Sequence, residues 1–80
     1  MKYYESMLEE SLLLQQRIAY SGTNAQYIGY ADPGVPDDKP LWLIYQLEYD
    51  SNSNVVAKRF ASGTKAFDKI WDNRGDYSYA

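Results

Sequence analysis

Residues 40–50 read Pro-Leu-Trp-Leu-Ile-Tyr-Gln-Leu-Glu-Tyr-Asp, and this stretch decides the fold. Successive side chains of a strand point to opposite faces, so the odd-numbered residues 41–49, which are all leucine or tyrosine, share one side. The other side begins with Trp42 and Ile44 and becomes polar from Gln46 onward. We therefore predict the central strand of a small antiparallel sheet, with this second side covered by another element only over its first half.

The size and composition of the chain restrict what it can be. Its 80 residues make one small domain, 1–80. The absence of Cys excludes disulfides and a Cys-based metal site, and the absence of His removes the commonest general base and metal ligand. The net charge of −3 gives no general attraction to nucleic acid or acidic membranes. We expect no cofactor, no small-molecule substrate and no membrane partner.

The chain is unusually rich in aromatic residues. They make up 16% of it and include nine Tyr, more than one small core is expected to hide. Tyr and Trp are enriched where proteins meet each other, which favours a component of an assembly. The alternative interpretation is that these rings are simply good strand formers.

Residues 1–20 are predicted to form an N-terminal helix. Apolar residues such as Tyr4, Leu8 and Ile18 recur at helical spacings, and Gly22 follows as a plausible stop. The run Leu12, Leu13 and Leu14 cannot face a single sheet with all three side chains. We interpret these leucines as a candidate contact with a partner, while a helix with one exposed leucine is the ordinary alternative.

Residues 25–61 are predicted to form a three-stranded antiparallel β-meander. In its first strand, Gly29 indicates a bulge or a large ring packed across the backbone. The loop from Asp32 to Pro40 is expected to project from the sheet edge, with Pro33, Val35 and Pro36 as candidate contact residues. In the strand near residues 55–61, the register remains open between two settings that differ by one residue.

Residues 64–75 are predicted to form a short C-terminal helix that packs on the sheet. Thr64 is a suitable N-cap, and an apolar face follows it at helical spacing. The tail 76–80 is expected to add an edge strand or an extended arm, with Tyr77 and Tyr79 as candidate contact residues. The predicted core consists of Tyr27, Ile28, Trp42, Ile44, Tyr45, Phe67, Ile70, Trp71 and Arg74.

The acidic residues do not form a motif with a known chemistry. The aspartates near Pro33 and Pro36 lack the alternating ligands and closing Glu of a calcium loop. Asp68 and Asp72 lie four residues apart, but so short a chain has little room for the cleft that would shift their pKa values. We predict no catalytic residues. Lys58 and Arg59 beside Phe60 are compatible with binding of single-stranded nucleic acid, but the negative net charge of the chain argues against it.

Three segments together resemble a group of small, mostly uncharacterised proteins of tailed bacteriophages. The order of motifs is Tyr-Ile-Gly and Ala-x-Pro-Gly within residues 27–34, Trp-x-Ile at 42–44, and Phe-Asp-x-x-Trp-Asp-x-Arg at 67–74. The resemblance covers about residues 20–79 and departs from the pattern at 75–77, where more apolar residues are typical of the group. Its motifs describe packing rather than chemistry.

The resemblance implies a virion or morphogenesis protein, made in the host cytoplasm and used in the phage particle. Combined with the surplus of rings, it predicts a non-enzymatic structural component of the capsid, neck or tail. Its partners would be other virion proteins and copies of itself. The alternative hypothesis is a small intracellular adaptor or regulator that does not enter the particle.

Overall fold

A computed structural model describes residues 13–80. It contains four strands, β1 (Gln15–Ser21), β2 (Asn24–Ala31), β3 (Leu43–Tyr49) and β4 (Val55–Phe60), and a 3-10 helix over Trp71–Asp76. The strands form one antiparallel sheet in the order β1-β2-β3-β4. The described part of the chain is therefore mostly sheet, and the predicted α+β fold class is wrong.

The predicted N-terminal helix is wrong where the structure describes its residues. Residues 15–21 form strand β1, and residues 1–12 of the predicted helix lie outside the described residues. Leu14 and Ile18 misled the prediction because a spacing of four fits both the period of a helix and the period of a strand. Gly22, interpreted as a helix stop, has φ +63° and begins the two-residue connection to β2. This connection is the usual length of a tight hairpin turn.

The three predicted strands are present as β2, β3 and β4. The register of the last hairpin, which the sequence left open, pairs Tyr45 with Phe60 and Leu47 with Lys58. Phe60 therefore shares a side with Tyr45, and Ala61 lies toward the side of Ile44. A register shift between Glu48 and Tyr49 marks an irregularity near the turn.

The core lies on the side of the sheet that carries Trp42 and Ile44, which we call the tryptophan face. These two side chains have no exposed surface, and Ala31, Ala61 and Trp71 complete the buried cluster. The ring of Trp71 lies across Gly29, and its centroid is 6.0 Å from that of Trp42. The covering that the sequence predicted for Trp42 and Ile44 is confirmed.

The predicted C-terminal helix over residues 64–75 is also wrong. Only the 3-10 helix Trp71–Asp76 forms, and residues 64–70 are not helical. Lys69 instead exchanges two backbone hydrogen bonds with Trp42, each 2.9 Å long. Backbone groups that pair with a strand are not available to a helix, so this segment is held extended at the start of β3. Phe67, assigned to a helical core face, is 45% exposed.

The tail pairs with the outer edge of β4. Phe60 and Ala80 exchange backbone hydrogen bonds of 3.0 and 3.1 Å, and the amide of Ser62 donates to the carbonyl oxygen of Ser78. Tyr79 forms an isolated antiparallel bridge with Ala61. The tail thus pairs with the sheet edge through an isolated bridge, which is less than the edge strand that was one of its two expected forms.

Candidate functional site

The opposite side of the sheet, which we call the aromatic face, is the main candidate site. The strand registers place nine side chains on it, namely Gln16, Ile18, Ile28, Tyr30, Leu43, Tyr45, Leu47, Lys58 and Phe60. Within residues 13–80, the segments 32–40 and 70–80 that fold over the sheet make their contacts with the tryptophan face. The aromatic face is thus formed by the strands alone in the described part of the chain.

Three rings cross the aromatic face from β2 to β4. The centroids of Tyr30 and Tyr45 are 6.4 Å apart, and those of Tyr45 and Phe60 are 5.8 Å apart in an edge arrangement. Lys58 Nζ lies over both of the last two rings, 4.3 Å from the Tyr45 centroid and 5.4 Å from that of Phe60. Aromatic pairs and cation–π contacts of this geometry order the surface before any partner arrives.

The Tyr45 hydroxyl titrates above its usual range. Burial raises the pKa of Tyr45 to about 12, and the neighbouring Tyr30 adds to the shift. A neutral phenol at physiological pH keeps this part of the surface uncharged.

Charge is distributed unequally between the two sides of the sheet. Lys58 is the only charged residue among the nine of the aromatic face, in a chain with 19 charged residues, eight basic and eleven acidic. The tryptophan side carries ion pairs instead, with Arg17 Nε 3.2 Å from Asp37 Oδ1 and Arg59 Nε 2.8 Å from Glu48 Oε1. Depletion of charge is the compositional mark of an interface core.

An apolar groove of about 470 Å³ lies at one end of the sheet and is lined by Leu13, Leu14, Asp32, Leu41 and Phe67. Leu13 is 71% exposed and Leu41 is 51% exposed. Leu14 and Leu41 each precede an aromatic-face residue by two positions, so the groove continues that face beyond the strand ends. Two of the leucines chosen from the sequence, Leu13 and Leu14, thus belong to this surface, while Leu12 lies outside the described residues.

The loop chosen from the sequence is positioned differently from the expectation that it projects. It folds over the tryptophan face, where Trp42 Nε1 donates to the Pro36 carbonyl oxygen at 3.0 Å. The side-chain amide of Gln15 donates to the carbonyl oxygens of Asp32 and Val35, each at 2.8 Å. Val35 packs against the core, and Pro33 is exposed. These bonds give the loop a structural task within the chain.

The two tyrosines chosen in the tail also make internal contacts. The Tyr77 hydroxyl accepts a hydrogen bond from the Ile70 amide at 2.9 Å, and the Tyr79 hydroxyl donates to the Arg74 carbonyl oxygen at 2.6 Å. Both rings are half-buried, and burial raises the pKa of Tyr79. Their polar ends hold the 3-10 helix against the tail.

The other predicted core residues divide between the two sides of the sheet. Ile28 is buried and lies on the aromatic face beside Tyr45. Tyr27 packs against Tyr79 on the tryptophan face, with ring centroids 5.4 Å apart. Ile70 is half-buried, and Arg74 lies over the Trp71 ring at 4.7 Å.

Residues 13–80 contain no group of three acidic, His or Cys side chains that could hold a metal ion. In the same part of the chain, no helix has the length and apolar character needed to cross a membrane.

Sequence reasoning missed the aromatic face as a surface. The signal was present in the leucines and tyrosines that alternate through residues 41–49, but an apolar strand face is normally a core face. The alternation predicted a cover over the first half of the Trp42 and Ile44 side, but it did not show that neither the loop nor the tail would contact the opposite side. Gly29 was the stronger indicator, because the Trp71 ring needs a position without a side chain.

Comparisons of this chain with protein-family models, with curated proteins and with solved structures returned no match.

Proposed function

We propose that this protein is a non-enzymatic structural component of a tailed-phage particle and that it acts through protein–protein contacts. The observation that carries the proposal is the aromatic face, a sheet surface with three rings, five aliphatic or amide side chains and a single charge. Contiguous apolar surface of this kind is typical of sites that bind other proteins.

The interior of the domain is consistent with a scaffold role. No buried side-chain nitrogen or oxygen of residues 13–80 lacks a hydrogen-bond partner, so the polar groups of the described core are all paired. Arg17 and Arg74, which lie over the two tryptophans, serve packing. The aromatic face, in contrast, presents mainly apolar surface.

The phage setting comes from the resemblance of residues 27–34, 42–44 and 67–74 to small phage proteins. In the fold these segments meet, because Gly29, Trp42 and Trp71 make one contact on the tryptophan face. The shared motifs thus describe the packed half of the domain, and a family with this pattern would keep the same scaffold.

Mass spectrometry of purified particles tests the proposal. We expect the chain in particles at a fixed copy number relative to the major capsid protein. A chain that is abundant in the infected cell but missing from washed particles would contradict the structural role and favour the second candidate, an intracellular adaptor that uses the same face on one soluble protein.

A further inference from the structure

We propose that the aromatic face is a self-association surface, on which two copies of this chain pack sheet against sheet. The inference rests on the proposed function, since it names the partner of the same surface as a second copy. It is carried by three features of the face: its area, its charge and its rigidity.

The area of the face is near the size that a specific interface needs. Strands of seven residues at about 3.3 Å per residue, set about 4.8 Å apart, give a four-stranded face of roughly 440 Å² in flat projection. Two such faces together have a flat area of about 900 Å², and the curved surface of the side chains adds to this area. Specific interfaces begin at about 1,000 Å². Because the available area only just approaches this size, the interface must use the whole face. A second, identical sheet has the dimensions to cover it completely.

The charge of the face favours a copy of itself over a charged partner. A twofold interface brings identical patches together, so any cluster of like charge on the patch would repel itself. Lys58 is the only charge, lies on edge strand β4, and is already held over the Tyr45 and Phe60 rings. Lys58 remains hydrated at the rim, while uncharged side chains of the face, such as the exposed Ile18 and the half-buried Tyr45, meet their counterparts.

The face is also ordered in advance. Gln16 Nε2 donates to the Tyr30 hydroxyl at 2.8 Å, and the Tyr45 ring contacts both Tyr30 and Phe60. Side chains that are already fixed lose little entropy on association, so even a small interface retains a net gain. Two sheets packed in this way would lie about 10 Å apart as a two-layer sandwich.

The test is sedimentation equilibrium of the full chain with a matched pair of variants. Ile18 on the aromatic face is 42% exposed, and Asn52 is exposed in the β3–β4 turn, outside that face and the groove that continues it. We expect the wild type to reach a mass of twice 9.2 kDa within about 1–100 μM, the range in which modest interfaces assemble. Ile18→Glu should raise the dissociation constant at least about tenfold, since it buries a charge, and Asn52→Glu should leave it unchanged.

A second measurement does not depend on how well the charged variant folds. Because the chain has no Cys, a single Gln16→Cys substitution gives a unique thiol on the aromatic face, and Asn52→Cys gives one in the exposed β3–β4 turn. Self-association predicts that the labelling rate of the first thiol falls as protein concentration rises, while that of the second stays constant.

The outcomes separate the inference from the function it rests on. A wild type that stays monomeric at about 100 μM, with both thiols equally reactive at all concentrations, overturns self-association. If Ile18→Glu is then absent from particles that still contain Asn52→Glu, the face binds another virion protein and the proposed function stands. If neither variant nor wild type enters particles, the proposed function fails as well.

Discussion

Gly29 is the residue on which the covered side of the sheet depends. A Cβ at this position would lie 2.6 and 2.8 Å from two atoms of the Trp71 ring, closer than real carbon contacts allow. The ring cannot retreat freely, because Trp42 packs beside it and Arg74 lies over it. A single missing side chain on β2 therefore fixes where the C-terminal segment rests.

Gly29→Ala is expected to destabilise the fold by about 1–3 kcal/mol, because the extra methyl forces the two tryptophans apart. Urea unfolding followed by fluorescence measures the change in the free energy of unfolding. Gly75→Ala is the matched control, since a methyl group added there would meet nothing within 4 Å and its φ is not positive. Equal effects of the two substitutions would show that the close approach of Trp71 to Gly29 is not maintained in solution.

Tyr45 predicts a loss of stability at high pH. Folding raises its pKa from 10.0 to about 12, so both the folded and the unfolded chain carry a neutral phenol below pH 10. Between pH 10 and about 12, the unfolded chain loses the phenolic proton of Tyr45 before the folded chain does. The free energy of unfolding therefore falls as the pH rises through this range. After a discount for solvent screening, the loss is about 1 kcal/mol.

This prediction is checked by denaturant unfolding of wild type and Tyr45→Phe at neutral pH and near pH 12. The stability of wild type relative to the phenylalanine variant should fall by about 1 kcal/mol over that interval. Curves that run parallel from neutral to alkaline pH would mean that Tyr45 is not buried as described.

At the scale of elements, the tail closes one edge of the sheet. The amide of Ala80 donates to the Phe60 carbonyl oxygen at 3.1 Å, and the Phe60 amide donates back at 3.0 Å. An unpaired strand edge is a template for unwanted pairing with other chains, and this short segment covers part of β4. Its contribution rests on main-chain hydrogen bonds rather than on buried area.

Ala80→Pro is expected to cost about 0.5–1.5 kcal/mol, because proline has no amide hydrogen to donate to Phe60. Thermal unfolding measures the change, and Ala80→Ser, which keeps the amide, is the control. A proline variant as stable as the serine variant would indicate that the pairing of the tail is not formed in solution.

The elements differ in how far the sequence predicts them. Strands β2, β3 and β4 follow from alternation between clear turn signals, and their positions were predicted. Strand β1 was hidden because Leu14 and Ile18 satisfy two periods at once, and the Gly22 turn was open to two interpretations. The helix predicted after Thr64 competes with the pairing of Lys69 to Trp42, a contact 27 residues apart along the chain that no local pattern reveals.

For the whole molecule, the decisive property is the difference between the two sides of one sheet. Loop and tail converge on the tryptophan face, and the charged pairs flank it there. The aromatic face was predictable as an apolar pattern but not as a surface, since the choice of side depends on the long-range fit of Trp71 to Gly29. A core face and an uncovered sheet face carry the same local signature in residues 41–49.

The net charge of −3 predicts that the chain does not bind single-stranded DNA at physiological salt, although Tyr30, Tyr45 and Phe60 resemble a stacking platform. Fluorescence anisotropy with a labelled oligonucleotide tests this, and a basic single-strand binding protein serves as the positive control. Tight binding that weakens steeply with added salt would contradict the prediction and would assign Lys58 and the rings to nucleic acid.

The contact between Trp42 and Trp71 has a practical consequence. These are the only two indoles of the chain, and their rings are 6.0 Å apart at an interplanar angle of 38°. Chromophores so close and so tilted couple their electronic transitions, which gives an exciton couplet in circular dichroism. The circular dichroism of this indole pair is therefore an intrinsic probe, and any event that separates the two indoles can be followed in real time without attaching a dye.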